Sequence, residues 1–295
     1  MYDTIIAGAG IAGLQAAIQL GRYNRKVLAI DSNDGRSTLC RNYHNILGFP
    51  DGISGMELRQ LGRAQAEQFG VKFCLETVES VHQNGRHFLV KTNLCSYEAK
   101  TVVLATGIKD NLPDFEGLRD CLGISVYVCP DCDGFEITKK KTIVIGSGET
   151  GARMACTLKY WSNDIVLINH GRKVIPHELE KELKEKNIQL YETKINTLIQ
   201  ENGYVHKVET MEGTVITGER AFVAMGGNEV RSDLAKQIGA EVKENQHIFA
   251  DSRTKMTTVE NVWAIGDIGE HSELVTAAMG EGSIAAIWVH KKLLQ

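Results

Sequence analysis

Proline is scarce, with 4 residues in 295, and no apolar run approaches the roughly 18 residues that cross a bilayer. No membrane contact is expected. A basic excess is also missing: 33 Lys and Arg stand against 37 Asp and Glu, for a net charge of -4, so nothing points to a nucleic-acid partner. The N-terminus lacks a basic stretch followed by an apolar one, so a cytoplasmic chain without a secretory leader is expected. The 7 cysteines are an odd number, and Cys40, Cys74, Cys95, Cys121 and Cys156 stand singly, which excludes the reading of a secreted disulfide framework. A second C-x-x-C or a close His pair, needed to complete a four-ligand zinc site, is absent, so no metal is expected.

Glycine, by contrast, is abundant at 29, which suits an α/β chain with tight turns between strands and helices. Thr4-Ile5-Ile6-Ala7 reads as a buried strand and runs into Gly8-Ala9-Gly10-Ile11-Ala12-Gly13. Apolar residues then recur at helical spacing through Leu20. This is G-x-G-x-x-G in its required setting, where the glycines permit the turn and the close approach of backbone to a pyrophosphate, and the helix N-terminus faces the phosphates. A second strand, Lys26 to Ile30, ends at Asp31, 23 residues after Gly8, where an acid takes adenosine ribose hydroxyls.

The same design recurs 138 residues on. Thr142-Ile143-Val144-Ile145 leads into Gly146-Ser147-Gly148-Glu149-Thr150-Gly151, and the following strand ends at Asn169, again 23 residues after the first glycine. The two copies differ at that end. The second has no acid there and continues His170-Gly171-Arg172-Lys173. An acid repels a 2′-phosphate and cations accommodate it, so Arg172 and Lys173 favour NADPH over NADH; the alternative is that they only solvate a loop.

Between the copies stands Cys129-Pro130-Asp131-Cys132-Asp133-Gly134-Phe135. Two cysteines at this spacing can open and close a small disulfide ring, and the spacing tends to lower one thiol pKa. Asp133 could hand a proton to a departing thiolate. Half of a zinc site is the other reading of the pair. Elsewhere, Ser54 and Glu57 suggest a capped helix running to Gly70, and Asn84-Gly85 suggests a hairpin. Near the C-terminus a buried strand ends in Gly266-Asp267, suited to the ribityl chain of a flavin. Thr276 opens a small-residue helix whose N-terminus could stabilise negative charge on the flavin pyrimidine.

Taken together, the Gly8–Gly13 motif, Asn45 with Gly48-Phe49-Pro50, Ala105-Thr106-Gly107, Cys129-x-x-Cys132-Asp133-Gly134, the Gly146–Gly151 motif, and Gly266-Asp267 before Thr276-Ala277-Ala278 resemble the low-molecular-weight thioredoxin reductases over essentially the whole chain. The resemblance implies an α/β fold of two Rossmann-like, doubly wound, three-layer domains, the second inserted in the first. It implies FAD bound by residues 1–113 and 245–295, and an NAD(P)H-binding domain at 114–244 that carries the dithiol. It adds Ser32, Asn45, Val81, Thr106, Gly107, Val275 and Thr276 to the residues expected on FAD. It further implies a homodimer with thioredoxin or another disulfide as substrate, Cys129 as the thiolate that attacks it, Cys132 as the sulfur reduced by the flavin, and Asp133 as proton donor and acceptor.

Three departures stand against that pattern. Gly35-Arg36-Ser37-Thr38 replaces a Gly-Gly-Gln-Leu-like loop. Asn169-His170-Gly171-Arg172 only loosely matches a His-Arg-Arg cluster for the 2′-phosphate. Ser272-Glu273-Leu274-Val275 stands where an Arg-Gln pair is usual. They leave open relatives that draw electrons from ferredoxin and dithiol oxidases of the gliotoxin type, although the latter tend to carry His where Asp133 stands. A regulatory protein whose cysteine pair only senses redox state is the third alternative.

Overall fold

The computed structural model describes residues 1–270 and 273–295. By its internal contacts the chain separates into two units, one of residues 1–38, 54–109 and 229–295, the other of residues 39–53 and 110–228. The sequence expectation puts the two crossings at 113 and 244. The contacts put them at 109 and 228 because the short strands Ile108–Lys109 and Glu229–Val230 pair with each other inside the first unit. The helix Asp233–Gln237 belongs there too, where the Gln237 side chain accepts from Val81 N at 3.2 Å and donates to Glu79 O at 3.1 Å.

The first unit is built on the strand Tyr2–Ala7, whose Ile5, Ile6 and Ala7 have no exposed surface. A strand buried on both faces needs a parallel sheet covered by helices. Tyr2–Ala7 runs parallel to Val27–Asp31 on one side (Ile5 beside Leu28) and to Ser96–Leu104 on the other (Ile5 beside Val102). Lys72–Leu75 extends one edge; His87–Thr92 and Val78–Asn84 extend the other as an antiparallel hairpin, and Val262–Ala264 pairs with Ser96–Leu104. Helices Ile11–Arg22 and Val275–Lys292 pack on one face through small residues. A Cβ on Gly282 would stand 2.4 Å from Ala12 O, so only glycine allows that approach. The helix Gly55–Gln68 begins as the capping pattern requires, with Ser54 Oγ accepting from Glu57 N at 3.1 Å.

The second unit repeats the plan. Its five-stranded sheet has the order Gln189–Tyr191, Ile165–Asn169, Thr142–Gly146, Arg220–Ala224 and Val126–Tyr127, all parallel. Helix Gly148–Leu158 follows the central strand, as Ile11–Arg22 does in the first unit. A separate three-stranded antiparallel sheet, Ile195–Glu201, Tyr204–Thr210 and Val215–Thr217, covers part of the core. Both units are thus Rossmann-like α/β sheets. Among the described residues, no helix is long and apolar enough to cross a membrane.

Candidate active site

The strand Val126–Tyr127 delivers the chain to Cys129, which caps a single helical turn, Pro130–Asp133. Proline suits the first position of such a turn, having no N–H to leave unpaired. The turn brings Cys129 and Cys132 together with Cα atoms 5.3 Å apart, and their sulfurs are joined as a disulfide. That bond is the arrangement the redox reading of the pair requires. The backbone N–H of Cys132 points at Cys129 Sγ, 3.2 Å away. An amide donor there stabilises a thiolate on Cys129 when the bond is open.

Asp133 closes the turn, its N–H donating to Cys129 O at 3.0 Å. Burial, reinforced by the negative charge of Glu136, raises its carboxyl to about 7. A carboxylic acid poised there holds a proton near neutrality and can release it to a thiolate. Gly134 lets the chain pass against the Trp161 ring, where a Cβ would stand 2.7 Å from ring atoms. Phe135, 76% exposed, projects beside the turn.

At the first glycine loop, Gly8 has φ +100°, and a Cβ on it would meet Ala105 O at 2.3 Å. Gly10 is different. A Cβ there would meet only Arg59 Nη1, at 3.9 Å, which leaves an open cradle above the loop. The N-terminus of helix Ile11–Arg22, with Ala12 and Gly13 in its first turn, has no capping side chain, and Arg59 supplies a cation beside it. A free helix N-terminus, an open cradle and a guanidinium fit the pyrophosphate of FAD. Asp31 Oδ2 accepts from Ala9 N at 2.5 Å, and Oδ1 accepts from Asn33 N at 2.7 Å and from Arg59 Nη2 at 2.8 Å. Ser32 is exposed next to it.

The remaining residues expected on FAD are spread over the fold. Thr106 Oγ1 donates to Arg231 O at 2.6 Å, and Gly107 has φ +69°. Val81 is fully buried. Gly266 N donates to the buried Glu281 at 2.9 Å, and Lys255 pairs with Glu281 at 2.8 Å. Asp267 is 3.3 Å from Arg36, which also pairs with Glu273. Val275 and Thr276 form the uncapped start of helix Val275–Lys292. Asn45 is exposed on the 39–53 segment and belongs with the second unit. Of the C-terminal departure, Ser272 lies outside the described residues.

At the second glycine loop, Ser147 precedes helix Gly148–Leu158, and its hydroxyl is buried without a hydrogen-bond partner among the described residues. A polar atom left waiting at a helix N-terminus fits a phosphate-bearing nucleotide. Gly146 and Gly151 lie so close that a Cβ on either would come within 2.7 Å of the other's Cα. Glu149 is engaged with Arg153 at 2.7 Å, and Thr150 is exposed. Asn169 is 2% exposed and fully employed: it accepts from Gly148 N at 2.9 Å and donates to Lys173 O and Glu192, both at 2.8 Å. Arg172 is 3.8 Å from the Glu212 carboxylate and donates to Glu192 O at 3.3 Å, and Lys173 is exposed. His170 accepts from Ile195 N at 2.9 Å, and burial, then the charge of Lys194, holds its pKa below the ordinary value.

Five contributors escaped the sequence pattern: Arg59, Arg36, Glu281, Glu136 and Glu192. Only Arg36 left a signal, since it stands in the loop that departs from the expected glycines. Glu136 lies three residues past Asp133 with no pattern to mark it, and Arg59, Glu281 and Glu192 arrive from elements more distant in sequence.

Two nucleotide-binding sheets and a disulfide with its own acid define an oxidoreductase that exchanges electrons with thiols. The family model for the pyridine nucleotide-disulphide oxidoreductases matches residues 2–282, and the chain belongs to that family. The thioredoxin reductase of Treponema pallidum (strain Nichols) is 29% identical over 301 residues, covering 97% of this chain and 95% of its own. The crystal structure of HlmI superposes with a TM-score of 0.90 at 30% identity, covering 99% of this chain and 92% of that one. The crystal structure of a putative thioredoxin reductase, TrxB, from Bacillus anthracis gives 0.87 at 27%, covering 100% and 99%. The chain is accordingly an FAD-dependent disulfide reductase of the thioredoxin reductase type.

Proposed function

We propose that the chain passes electrons from NADPH through FAD to the Cys129–Cys132 disulfide and on to thioredoxin or a similar disulfide substrate. The observation that carries this reading is the disulfide closed within one helical turn beside a carboxyl raised to about 7. When bound, FAD supplies the two-electron link between nicotinamide and disulfide. Residues 1–38, 54–109 and 229–295 would hold it, with the Gly8–Gly13 loop and Arg59 on the pyrophosphate and Asp267 on the ribityl chain. Residues 110–228 would hold the nicotinamide dinucleotide and carry the dithiol.

In the reduced pair, the Cys129 thiolate attacks one sulfur of the substrate disulfide. A mixed disulfide forms, the substrate S–S bond breaks, and the leaving thiolate takes the Asp133 proton. Asp133 then takes the proton of Cys132. The Cys132 thiolate attacks Cys129 Sγ, closes the disulfide and releases the second substrate thiolate, which recovers the proton from Asp133. Rates of such exchange follow thiolate fraction and access. One dithiol cannot meet a flavin and a bulky disulfide at once, so the segments joining the units would act as hinges. The resemblance also supports a cytoplasmic homodimer.

A second reading takes electrons from a protein such as ferredoxin. The engagement of Arg172 by Glu192 and Glu212 favours it, because a cation already paired is a weaker 2′-phosphate ligand. Anaerobic titration of the FAD-loaded protein with NADPH, NADH and reduced ferredoxin separates the two. Bleaching by NADPH supports the first reading. Bleaching by ferredoxin with both nucleotides inert replaces it with the second.

A further inference from the structure

The 39–53 segment is closed on itself where Tyr43 N donates to Ile53 O at 2.7 Å and Ile53 N donates to Tyr43 O at 3.2 Å. It presents His44 to Glu136, with Nδ1 3.2 Å from Oε1. The other ring nitrogen, Nε2, lies 2.8 Å from Asn42 Nδ2. Asn42 Nδ2 also donates to Asp51 O at 3.4 Å, which identifies that end of the amide as the donor. Nε2 is then the acceptor, so the neutral ring carries its proton on Nδ1 and donates it to Glu136. Glu136 sits in the 3-10 turn Gly134–Ile137, directly after Asp133.

Taking Cys129–Cys132 as the redox pair, we propose that His44 and Glu136 are a positioning pair that sets how readily Asp133 releases its proton when the disulfide opens and closes. Asp133 must both give and take a proton in each cycle, which demands an acidity near the working pH. Among the described residues, three titratable groups face it, Cys40 from the 39–53 segment, Tyr127 from the strand Val126–Tyr127 and Glu136 from the adjoining turn, and Lys140 in turn faces Glu136. Burial is the main cause that pushes the Cys40 thiol up to about 12, and burial likewise pushes the Tyr127 hydroxyl up, so both stay neutral. Glu136 is therefore the charge that Asp133 feels. A like charge nearby makes a carboxyl hold its proton. His44 draws on that same charge through its Nδ1–H and moderates it.

The two residues then act with opposite sign. In the full-length FAD-loaded protein, the titration of Asp133 is followed by its carboxyl 13C shift. The pH profile of Cys129–Cys132 reduction by dithiothreitol is measured beside it. Glu136→Gln is expected to move both midpoints down by about one pH unit, and His44→Phe to move them up by about half a unit. Because His44 works through Glu136, the double variant is expected to match Glu136→Gln alone. Unmoved midpoints, shifts of the same sign, or additive shifts in the double variant would overturn the pairing. Asp133→Asn separates this from the redox reading. If that variant slows reduction while the other two leave the profile in place, the redox reading stands and the pairing falls. If Asp133→Asn reduces as fast as the parent, Asp133 is not the acid and the pairing falls, while the redox reading of Cys129–Cys132 stands.

Discussion

Arg59 donates to Asp31 across 2.8 Å, joining the helix Gly55–Gln68 to the end of strand Val27–Asp31 beneath the first glycine loop. The guanidinium is buried, and its other amino group, Nη1, looks onto the cradle above Gly10. It therefore orients the acid expected on the ribose and adds positive charge beside the pyrophosphate. Arg59→Met keeps the length of the side chain and removes both contributions. A charge-assisted hydrogen bond contributes about 1.5–3 kcal/mol, so FAD binding should weaken by about tenfold or more. Return of free-FAD fluorescence on dilution measures it, and an unchanged dissociation constant would show that Arg59 is only structural.

Asp133 makes the stability of the protein depend on pH. Its carboxyl is raised from 3.8 to about 7, first by burial and then by Glu136. A raised acid favours the fold while it is protonated. That contribution is complete below about pH 4 and is lost as pH rises through about 7. Asp133→Asn removes the ionisable group, so the variant should exceed the parent in stability above pH 7 by on the order of 2–4 kcal/mol, with the difference vanishing in acid. Denaturant unfolding of both proteins at acidic and alkaline pH checks the sign. A difference independent of pH refutes it.

Glu212 competes for the cation that a 2′-phosphate would use. Its carboxylate stands 3.8 Å from Arg172 and also accepts from Thr193 Oγ1. Glu212→Gln should loosen Arg172 and raise the ratio of kcat/KM for NADPH over NADH by up to about fivefold, since an exposed ion pair is worth about 0.2–1 kcal/mol. Steady-state rates with the two nucleotides give the ratio. No change would mean that Arg172 does not meet the phosphate.

Lys255 and Glu281 form an ion pair with side chains 18% and 10% exposed, and Glu281 also accepts from Gly266 N. Lys255→Met takes the cation away from a buried carboxylate next to the turn that places Asp267. Removing one partner of such a pair costs about 3–5 kcal/mol. Thermal unfolding should show the loss, and Lys255→Met with Glu281→Gln should recover part of it.

Much of this was legible in sequence because it depends on neighbours along the chain. Glycine spacing after an apolar strand specifies a turn into a helix, so both glycine loops appear where the motifs place them. Cys129 and Cys132 share one helical turn, so their spacing alone implies that they can meet. The second site was read less fully. The absence of an acid after Ile168 suggested a site open to a 2′-phosphate, but Glu192 and Glu212 come to Asn169 and Arg172 from the residue just past a later strand and from the turn between two others. Nothing in the local pattern reports them.

The order of residues therefore determined the strands, the glycine turns and the pairing of the two sulfurs, all of which arise from contacts a few residues apart. Tertiary structure alone decided which distant charges stand beside the working groups: Arg59 at Asp31, His44 at Glu136, Glu212 at Arg172. Charge acts through space and grows as water is excluded, so its effect is set by burial and distance rather than by position in the chain.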